Sequence, residues 1–510
     1  MKQYILAHDL GTSGNKATLF SSEGKLAGSC VYEYPTYYFD GLCVEQDAED
    51  WWRAVCDSSK QIIRELGVDK KEIAAISFSG QMMGCLCVDK EGNPLRRSII
   101  WADQRAQKQA AAIEEKLPMR DFYHITGHRN TASYGIQKLM WIRDNEPEVF
   151  ENTYKTLNAK DFIVARLTGK FYTEPTDATG NNCMDLMNMQ WSERILDIAG
   201  IGADKLPDIR PSTFIAGGVT KEAAHSVGLL PGTPVVLGGG DGVCANIGAG
   251  SYKEGRSFSY VGSSAWVATT TGEPLFDEQM RTITWAHIVP GLYTPNGTMQ
   301  TAGGSYNWLK NTLCTDEVEK AKAMGISPYE LINEQIEQSP PGANGVVYLP
   351  YLLGERAPRW NPNAKGSFVG LGMQTTRADI LRSVLEGVTM NLGIILDILR
   401  QKADIKELLV IGGGAKGRCW RQMMADIYGV TVRAPKLLEE ATSMGAAVTG
   451  GVGVGVFKDF GVIDDFIEID CEQRQDMDTG KDYARSRKIF DMCYDALRPV
   501  FDRMANKQGD

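Results

Sequence analysis

Residues 5–14 read Ile5-Leu6-Ala7-His8-Asp9-Leu10-Gly11-Thr12-Ser13-Gly14, an apolar strand that runs into an acidic residue and a small, hydroxyl-bearing turn. Glycines let the backbone turn tightly and bring its N–H groups close to a ligand. Successive N–H groups form an anion-binding concavity, to which Thr12 and Ser13 add hydroxyl donors. Residues 15–20 predict a second strand, so the turn lies at the tip of a hairpin. The pattern predicts a phosphate-binding loop at Gly11, Thr12 and Ser13, and an ordinary β-turn is the alternative.

Asp9 bears on the chemistry because a carboxylate repels phosphate. Its position is explained if a divalent cation, or the water shell of that cation, lies between the two. We therefore expect Mg²⁺ near Asp9, held mostly through phosphate oxygens and waters. His8 alternates to the opposite face of the strand, so we expect it to pack in the core. Because the chain has only five histidines, we expect carboxylates to carry any acid–base work.

A second, weaker copy of the hairpin spans residues 257–270, with the turn Gly262-Ser263-Ser264 between two strand-like runs. Two such hairpins, one near the start of each half, imply a duplicated fold with a nucleotide clamped between the halves. These residues resemble the two phosphate loops of the actin, Hsp70 and sugar-kinase superfamily. Within it, the chain resembles the FGGY carbohydrate kinases, most closely the xylulokinase branch, as far as about residue 456.

The resemblance implies the α/β class, with two actin-like (ribonuclease H-like) domains around a central cleft, and ATP with Mg²⁺ as the cofactors. A chain of 510 residues is too long for one core, which also favours two domains. We expect an N-terminal domain over residues 1–249, which binds the sugar and carries the first phosphate loop. We expect a nucleotide-binding C-terminal domain over residues 250–510.

Composition narrows the class of partner. A net charge of −10 without a basic stripe argues against nucleic acid. The longest low-polarity run, residues 444–456, is shorter than the roughly 18 apolar residues of a membrane helix, and the early first strand leaves no room for a signal peptide. Eleven cysteines without paired spacing favour a reduced, cytoplasmic protein without structural zinc. We expect a small-molecule sugar as the partner, and a homodimer stays open.

Two predicted strand ends in the first half carry candidate sugar contacts, since α/β folds bind ligands at such ends. The first reads Ser79-Gly80-Gln81-Met82-Met83-Gly84 and the second Trp101-Ala102-Asp103-Gln104-Arg105. Trp101 offers an apolar wall for the C–H faces of a small polyol. Asp103 can accept hydrogen bonds from hydroxyls, and Arg105 can hold Asp103 or the substrate. The alternative is a helix N-cap at Asp103 paired with Arg105.

In the family comparison these segments look like the xylulokinase Gln-Met-His-Gly and Trp-Asn-Asp-x-Arg sugar-binding motifs. The resemblance implies that the substrate contacts are Gln81, Met82, Met83, Trp101 and Asp103. The chain departs from the pattern where Met83 replaces His and Ala102 replaces Asn. A buried hydroxyl partner decides sugar choice strongly. The departures therefore leave D-xylulose open against ribulose, erythrulose, gluconate or an autoinducer-2 type substrate.

A third strand, at residues 234–240, ends in three glycines and delivers the carboxylate of Asp241. Phosphoryl transfer from ATP to a hydroxyl needs a base aimed at that hydroxyl, and a carboxylate suffices because the proton becomes acidic only as the P–O bond forms. Asp241 matches the family's catalytic aspartate, and Gly242 replaces the Asn that usually follows it. For the bare pattern, a simple turn is the alternative.

In the second half, an apolar strand opens into Gly412-Gly413-Gly414-Ala415, which the family places at the adenosine pocket. A Rossmann motif is the alternative, although its full glycine pattern is absent. Glu355 and Arg356 resemble part of the family's Gly-Glu-Arg-x-Pro signature, and we expect them to form a structural ion pair. Residues 445–455 predict a glycine-rich helix suited to close approach.

Together these features predict an ATP-dependent kinase of a small ketose or related polyol, xylulokinase-like and active in carbohydrate catabolism. Asp241 is the predicted general base, and Asp9 acts on Mg²⁺ through water. The first alternative from another class is an actin- or Hsp70-like ATPase without sugar kinase activity. The second is a nucleotide-sensing regulator, against which the presence of Asp241 argues.

Overall fold

The computed structural model describes residues 4–436 and 440–506. The chain folds into two α/β units, each built on a seven-stranded sheet. The first unit contains β1 (Tyr4–Leu10), β2 (Gly14–Ser21), β3 (Leu26–Glu33), β4 (Tyr37–Phe39), β5 (Cys43–Gln46), α1 (Ala48–Leu66), β6 (Ile73–Gly80), β7 (Leu86–Val88), β8 (Ser98–Ile99), α2 (Gln107–Lys116), α3 (Met119–Thr126), α4 (Gly135–Asn145), α5 (Pro147–Asn152), β9 (Lys155–Leu157), α6 (Ala159–Thr168), β10 (Tyr172–Thr173), α7 (Pro175–Gly180), β11 (Met184–Asp185), β12 (Gln190–Trp191), α8 (Glu193–Ala199), β13 (Asp208–Ile209), β14 (Ile215–Gly218), α9 (Lys221–Val227), β15 (Pro234–Val236), β16 (Gly239–Gly240) and α10 (Asp241–Gly248).

The first sheet has the strand order β14-β15-β6-β1-β2-β3, with β16 beside β6. Strands β1, β2 and β3 form an antiparallel meander, whereas β6 runs parallel to β1. The register pairs Asp9 with Ser79 and Gly80 with Gly240. Because parallel strands end at the same edge, the first hairpin turn, the Gln81 segment and Asp241 all emerge together.

The second unit repeats this plan. Its elements are β17 (Ser257–Val261), β18 (Ala265–Thr269), β19 (Ile283–Ala286), β20 (Tyr293–Met299), α11 (Gly303–Leu313), α12 (Thr315–Met324), α13 (Pro328–Ile336), β21 (Val347–Leu349), β22 (Ser367–Val369), α14 (Arg377–Leu399), β23 (Glu407–Ile411), α15 (Arg418–Tyr428), β24 (Thr431–Pro435), α16 (Ala441–Gly453), α17 (Ile463–Phe466), β25 (Ile469–Gln473) and α18 (Met477–Asn506).

The second sheet has the order β19-β20-β18-β17-β23-β24-β25, in which β17 is antiparallel to β18 and parallel to β23. In both sheets, therefore, the first strand lies between its hairpin partner and a parallel strand. This arrangement confirms the duplicated α/β fold. None of the helices in residues 4–436 and 440–506 has the length and apolar character that a membrane span needs.

Helices α10 and α16 cross where the two units meet. α16 lies between β24 and β25 of the second unit in sequence but packs on β1 and β6 of the first, whereas α10 packs against Phe258 and Ile411 of the second sheet. A Cβ at Gly445 would lie 1.9 Å from the Cys244 carbonyl oxygen, so the crossing requires glycine there. The predicted glycine-rich helix is confirmed. The proposed domain boundary between residues 249 and 250 stays a prediction, because α16 joins the first sheet by packing.

Candidate functional site

The predicted first phosphate loop is the turn between β1 and β2. Within it, the Gly11 N–H donates to the Gly14 carbonyl oxygen at 3.0 Å, and the Tyr34 hydroxyl donates to the Gly11 carbonyl oxygen at 2.5 Å. A Cβ at Gly14 would lie 2.6 Å from the Tyr32 carbonyl oxygen, so that position needs glycine. Ser13 is exposed at the tip. The turn is thus held by its own backbone, and a hydroxyl remains accessible to a ligand.

Gln46, which the sequence analysis missed, joins this turn to the predicted sugar segments. Its buried Nε2 donates to the Thr12 carbonyl oxygen at 2.5 Å, and its Oε1 accepts from Gln81 Nε2 at 2.7 Å. Trp101 Nε1 donates to Thr12 Oγ1 at 2.8 Å. Thr12, Gln81 and Trp101 therefore form one hydrogen-bonded group. A single glutamine at the end of a short strand carries no motif that could have revealed this role.

The Gln81 segment lies directly beside Asp241. The Gln81 N–H donates to the Leu10 carbonyl oxygen at 2.8 Å, and its side-chain Oε1 is buried without a hydrogen-bond partner among the described residues. Met82 packs on the residue before Asp241, since a Cβ at Gly240 would lie 2.4 Å from Met82 Sδ. The unpaired oxygen of Gln81 is available to accept a hydrogen bond from a ligand hydroxyl.

Asp241 and Asp9 are the two carboxyl groups at this sheet edge. Asp241 begins α10, and its Oδ1 accepts from the Gly242 N–H at 2.7 Å. Burial, and second the charge of Asp9, raise the pKa of Asp241 to about 7. A carboxyl group with that pKa is partly ionised at neutral pH and can accept a proton from a substrate hydroxyl.

Asp9 fits the role expected for it toward Mg²⁺. Its Oδ1 accepts from Ser79 Oγ at 2.9 Å, and Oδ2 makes no hydrogen bond to another described residue. Burial raises the pKa of Asp9, whereas Ser79 and Lys16 act in the opposite direction. A carboxylate with one fixed oxygen and one open oxygen suits a hard cation or its bound water.

A buried charged cluster under Asp241 was also missed. The Gly240 N–H donates to Thr176 Oγ1 at 2.7 Å, and that hydroxyl donates to Glu174 Oε1 at 2.6 Å. Lys160 Nζ lies 3.3 Å from Glu174 and 3.0 Å from Asp177, and all three side chains are fully buried. The cluster fixes the backbone just before Asp241. Its acids precede Asp241 by more than sixty residues, so sequence spacing gave no signal.

Asp103 does not face the cleft as predicted. It is fully buried, its Oδ2 accepts from the Val44 N–H at 2.6 Å, and Arg105 Nη2 lies 2.7 Å from the same oxygen. The alternative ion pair with Arg105 is therefore present. The helix cap is absent, because α2 begins at Gln107 after Ala106. Both oxygens of the Asp103 carboxylate are engaged by the Val44 N–H and by Arg105, so Asp103 stabilises the segment that carries Trp101.

Met83 lines a cavity of about 120 Å³ between the two units, together with Tyr134, Trp285 and Arg356. Its φ of 63° lies in the left-handed region, which residues other than glycine rarely adopt. Such strained residues often occur at functional sites. Met83, which stands where the family pattern has His, therefore borders an open cavity.

The expected Glu355–Arg356 ion pair is absent. Glu355 instead accepts from the Gln300 N–H at 2.7 Å and from Asn391 Nδ2 at 2.9 Å, and burial raises its pKa to about 8. The Arg356 guanidinium lines the Met83 cavity, and its Nε is buried without a partner among the described residues. A buried donor without a partner is unfavourable, and a ligand in this cavity that accepts a hydrogen bond would relieve that cost.

The second unit contains a larger cleft of about 750 Å³ beside the second hairpin. Four predicted nucleotide residues line it: Gly262, Ser263, Gly413 and Gly414. Its wall also contains residues that no sequence pattern predicted, among them Tyr306, Asn307, Tyr329, Asn333 and Trp420. These lie on α11, α13 and α15, which meet only in the folded chain. The volume and the mixture of aromatic and amide groups suit a nucleoside.

Three other nucleotide residues predicted in the second unit, Ser264, Gly412 and Ala415, do not line this cleft. Gly412 has φ 86° and ψ 177°, a conformation suited to glycine, and shapes the turn. The Ser264 carbonyl oxygen accepts from the Gly262 N–H at 2.9 Å, which closes the second hairpin. Ala415 is fully buried, and its carbonyl oxygen accepts a hydrogen bond from Arg421 Nη1.

Comparison with known proteins gives the family. The chain matches the FGGY family of carbohydrate kinases, N-terminal domain, over residues 4–248 and its C-terminal domain over residues 258–454. It is 31% identical to a gluconokinase of Bacillus licheniformis over 100% of this chain and 99% of that protein. It is 32% identical to a xylulose kinase of Bacillus subtilis over 89% of each chain. The chain belongs to the FGGY family of carbohydrate kinases and is an ATP-dependent phosphotransferase.

Solved structures agree with this assignment. A gluconate kinase from Lactobacillus acidophilus superimposes with a TM-score of 0.91 at 26% identity, over 98% of this chain and 99% of that one. A xylulose kinase from the same organism superimposes with a TM-score of 0.91 at 27% identity, over the same shares of each chain. The predicted fold and the predicted family are therefore confirmed, whereas the substrate remains open between these two branches.

Proposed function

We propose that this chain transfers the terminal phosphoryl group of ATP to a hydroxyl of a small open-chain sugar, with Asp241 as the general base. A ketose of the D-xylulose type is the first candidate substrate. Asp241 would accept the hydroxyl proton as the new P–O bond forms, and ADP would leave. The observation that supports this proposal most directly is the meeting of Asp241, Asp9 and the Gln81–Met83 segment at one sheet edge.

The other residues have separate tasks in this proposal. The cleft beside Ser263 would bind the nucleoside, and the turn at Gly11–Ser13 would receive its terminal phosphate. Mg²⁺ would neutralise phosphate charge, and Asp9 would orient its water. Gln81 Oε1 would accept a hydrogen bond from the sugar, and the indole of Trp101 would contact its C–H face. Exclusion of water from this edge would prevent hydrolysis of ATP.

A sugar acid is the second candidate substrate, and the Arg356 guanidinium in the Met83 cavity favours it. A carboxylate binds a guanidinium with short, charge-assisted hydrogen bonds. The gluconokinase and gluconate kinase among the relatives agree with this candidate. A substrate that reaches from Asp241 past Met83 would bring its far end toward Arg356.

A phosphorylation screen over pentuloses, tetruloses, aldonates and polyols separates these candidates. A sugar-acid substrate predicts that Arg356→Gln raises the KM for the aldonate far more than the KM for any ketose. A ketose substrate predicts similar small changes for both classes. Sugar-stimulated release of ADP excludes the actin- or Hsp70-like ATPase, which has no sugar site.

The role of Asp241 is tested by Asp241→Ala. We expect turnover to fall roughly 10²–10⁴-fold, the usual contribution of a positioned general base, while calorimetry still detects ATP binding. Near-normal sugar phosphorylation by this variant would assign the base to another group.

A further inference from the structure

Lys138, on α4, has an unusual set of hydrogen bonds. It is fully buried, and its Nζ donates to three backbone carbonyl oxygens: that of Ser133 at 2.6 Å, of Met83 at 2.7 Å and of Ile100 at 2.8 Å. An ammonium group has three donors, so all of them are used. Long helical side chains point back toward the helix N-terminus, which explains how Nζ reaches these loops from α4.

The three carbonyl groups belong to the three segments that surround the proposed sugar site. Met83 ends the Gln81 segment, and Ile100 immediately precedes Trp101. Ser133 lines the same cavity as Met83. Met83, Ile100 and Ser133 are successively 17 and 33 residues apart in sequence, and Lys138 Nζ hydrogen-bonds to all three of them. One side chain therefore fixes their relative positions.

The energetics indicate that this arrangement serves more than packing. Burial lowers the pKa of Lys138 to about 7, with Asp103 and Cys85 acting to raise it and Arg105 to lower it. No described carboxylate forms an ion pair with Lys138. A buried ammonium without a counter-ion is unfavourable, and Met83 adds backbone strain with its φ of 63°. The Lys138 bond holds the carbonyl group that this strained conformation turns inward.

We infer that Lys138 is a positioning residue of the sugar site, which sets the placement of Met83 and Trp101 without touching the substrate. The inference rests on the proposed sugar kinase function and deepens it. It follows that loss of Lys138 misplaces the sugar and leaves the nucleotide cleft of the second unit unaffected.

The test is Lys138→Met in the full chain, with kcat and KM measured for the best sugar and for MgATP. Misplacement of reacting groups by about 1 Å lowers rates on the order of 10²-fold. We expect kcat/KM for the sugar to fall by that order, through a lower kcat as well as a higher KM. The KM for MgATP and the slow hydrolysis of ATP without sugar stay unchanged.

Lys155→Met is the matched control. Lys155 Nζ also donates to two backbone carbonyl oxygens, those of Asp204 at 2.7 Å and Leu206 at 2.8 Å, but these lie outside the sugar segments. We expect its sugar KM to stay at the wild-type value. Lys138→Arg keeps the charge but cannot direct three donors from one atom, so it should restore stability and only part of the sugar kcat/KM.

Several outcomes separate a failure of the Lys138 inference from a failure of the proposed sugar kinase function. A folded Lys138→Met with an unchanged sugar KM, or with equal rises in both KM values, would overturn the inference. If Lys138→Met does not fold, Lys138→Arg decides in its place, and wild-type kinetics in that variant would overturn the inference as well. Wild-type protein that phosphorylates no sugar in the panel would instead overturn the proposed function.

Discussion

Single residues at the sheet edge set the electrostatics of the proposed reaction. Asp241 and Asp9 are half-buried carboxyl groups of like charge, and the charge of Asp9 helps to raise the pKa of Asp241. A base acts in its ionised form, and a raised pKa means that ionisation is lost as the pH falls through about 7. The position of the acidic limb of a pH–rate profile therefore reports on this pair.

We expect kcat/KM for the sugar to fall as the pH drops below about 7 in the wild-type protein. Asp9→Asn removes the like charge, so the acidic limb should move to lower pH, although the remaining activity is weak. Profiles of kcat/KM between pH 5 and 9, at saturating Mg²⁺, measure the shift. An acidic limb in the same position for both proteins would mean that Asp9 does not act on the ionising base.

Asp9→Asn should also separate turnover from sugar binding. If Asp9 orients a water on Mg²⁺ at the phosphates, loss of its charge lowers kcat far more than it weakens the binding of the sugar. Calorimetry of sugar binding beside steady-state kinetics makes the comparison, and Ser79→Ala serves as a milder variant that removes only the hydrogen bond to Asp9. Undiminished turnover with equal sugar binding would rule out this role.

Met83 is the residue at which substrate choice is best tested. A thioether cannot donate a hydrogen bond as histidine can, and it fills space adaptably. Since Met83 faces the cavity that Arg356 also lines, Met83→His should shift preference toward D-xylulose relative to the other substrates. The ranking of kcat/KM over the same sugar panel decides the matter, and an unchanged ranking would mean that Met83 does not face the sugar.

At the scale of elements, the crossing of α10 and α16 depends on glycine. In an ordinary helix interior, Gly→Ala stabilises by about 1 kcal/mol. At Gly445 the sign should reverse, because the new Cβ would lie 1.9 Å from the Cys244 carbonyl oxygen. We expect Gly445→Ala to destabilise by roughly 1–3 kcal/mol, as overpacking does. Thermal unfolding measures this, and Gly372→Ala, where no atom lies within 4 Å, is the control. Equal unfolding midpoints for Gly445→Ala and the wild-type protein would contradict the close approach of α10 and α16 at Gly445.

The strands and hairpins also show which features the sequence could predict. Strand ends that carry glycine and a polar residue are local patterns, so both hairpins and the positions of Gln81 and Asp241 were predictable. The partners of a side chain are not local. Asp103 is chemically able to bind a sugar hydroxyl, yet its carboxylate oxygens are already engaged by the Val44 N–H and by Arg105. Gln46 and Lys138 gain their roles only when distant segments fold together, which no spacing in the sequence encodes.

At the scale of the whole molecule, the two units must act on one substrate pair. The proposed nucleotide cleft lies on the second unit, whereas Asp241 and Asp9 lie at the edge of the first sheet. An ion pair of 2.8 Å between Lys16 of β2 and Glu440, just before α16, links the first hairpin to the chain that returns from the second unit. Transfer of a phosphoryl group requires both sites to meet with water excluded.

We therefore expect the protein to become more compact when sugar and nucleotide bind together. Sugar with ADP avoids turnover, and small-angle scattering measures the radius of gyration of the free protein, of each binary complex and of the ternary complex. The radius of gyration should decrease most in the ternary complex. Only there are the sugar site of the first unit and the proposed nucleotide cleft of the second unit both occupied, so that the two ligands can bridge the units. Gly445→Ala, which disturbs the crossing of α10 and α16, should reduce the change if that crossing guides the closure. Identical scattering profiles with and without both ligands would contradict closure and would favour a cleft that is already closed.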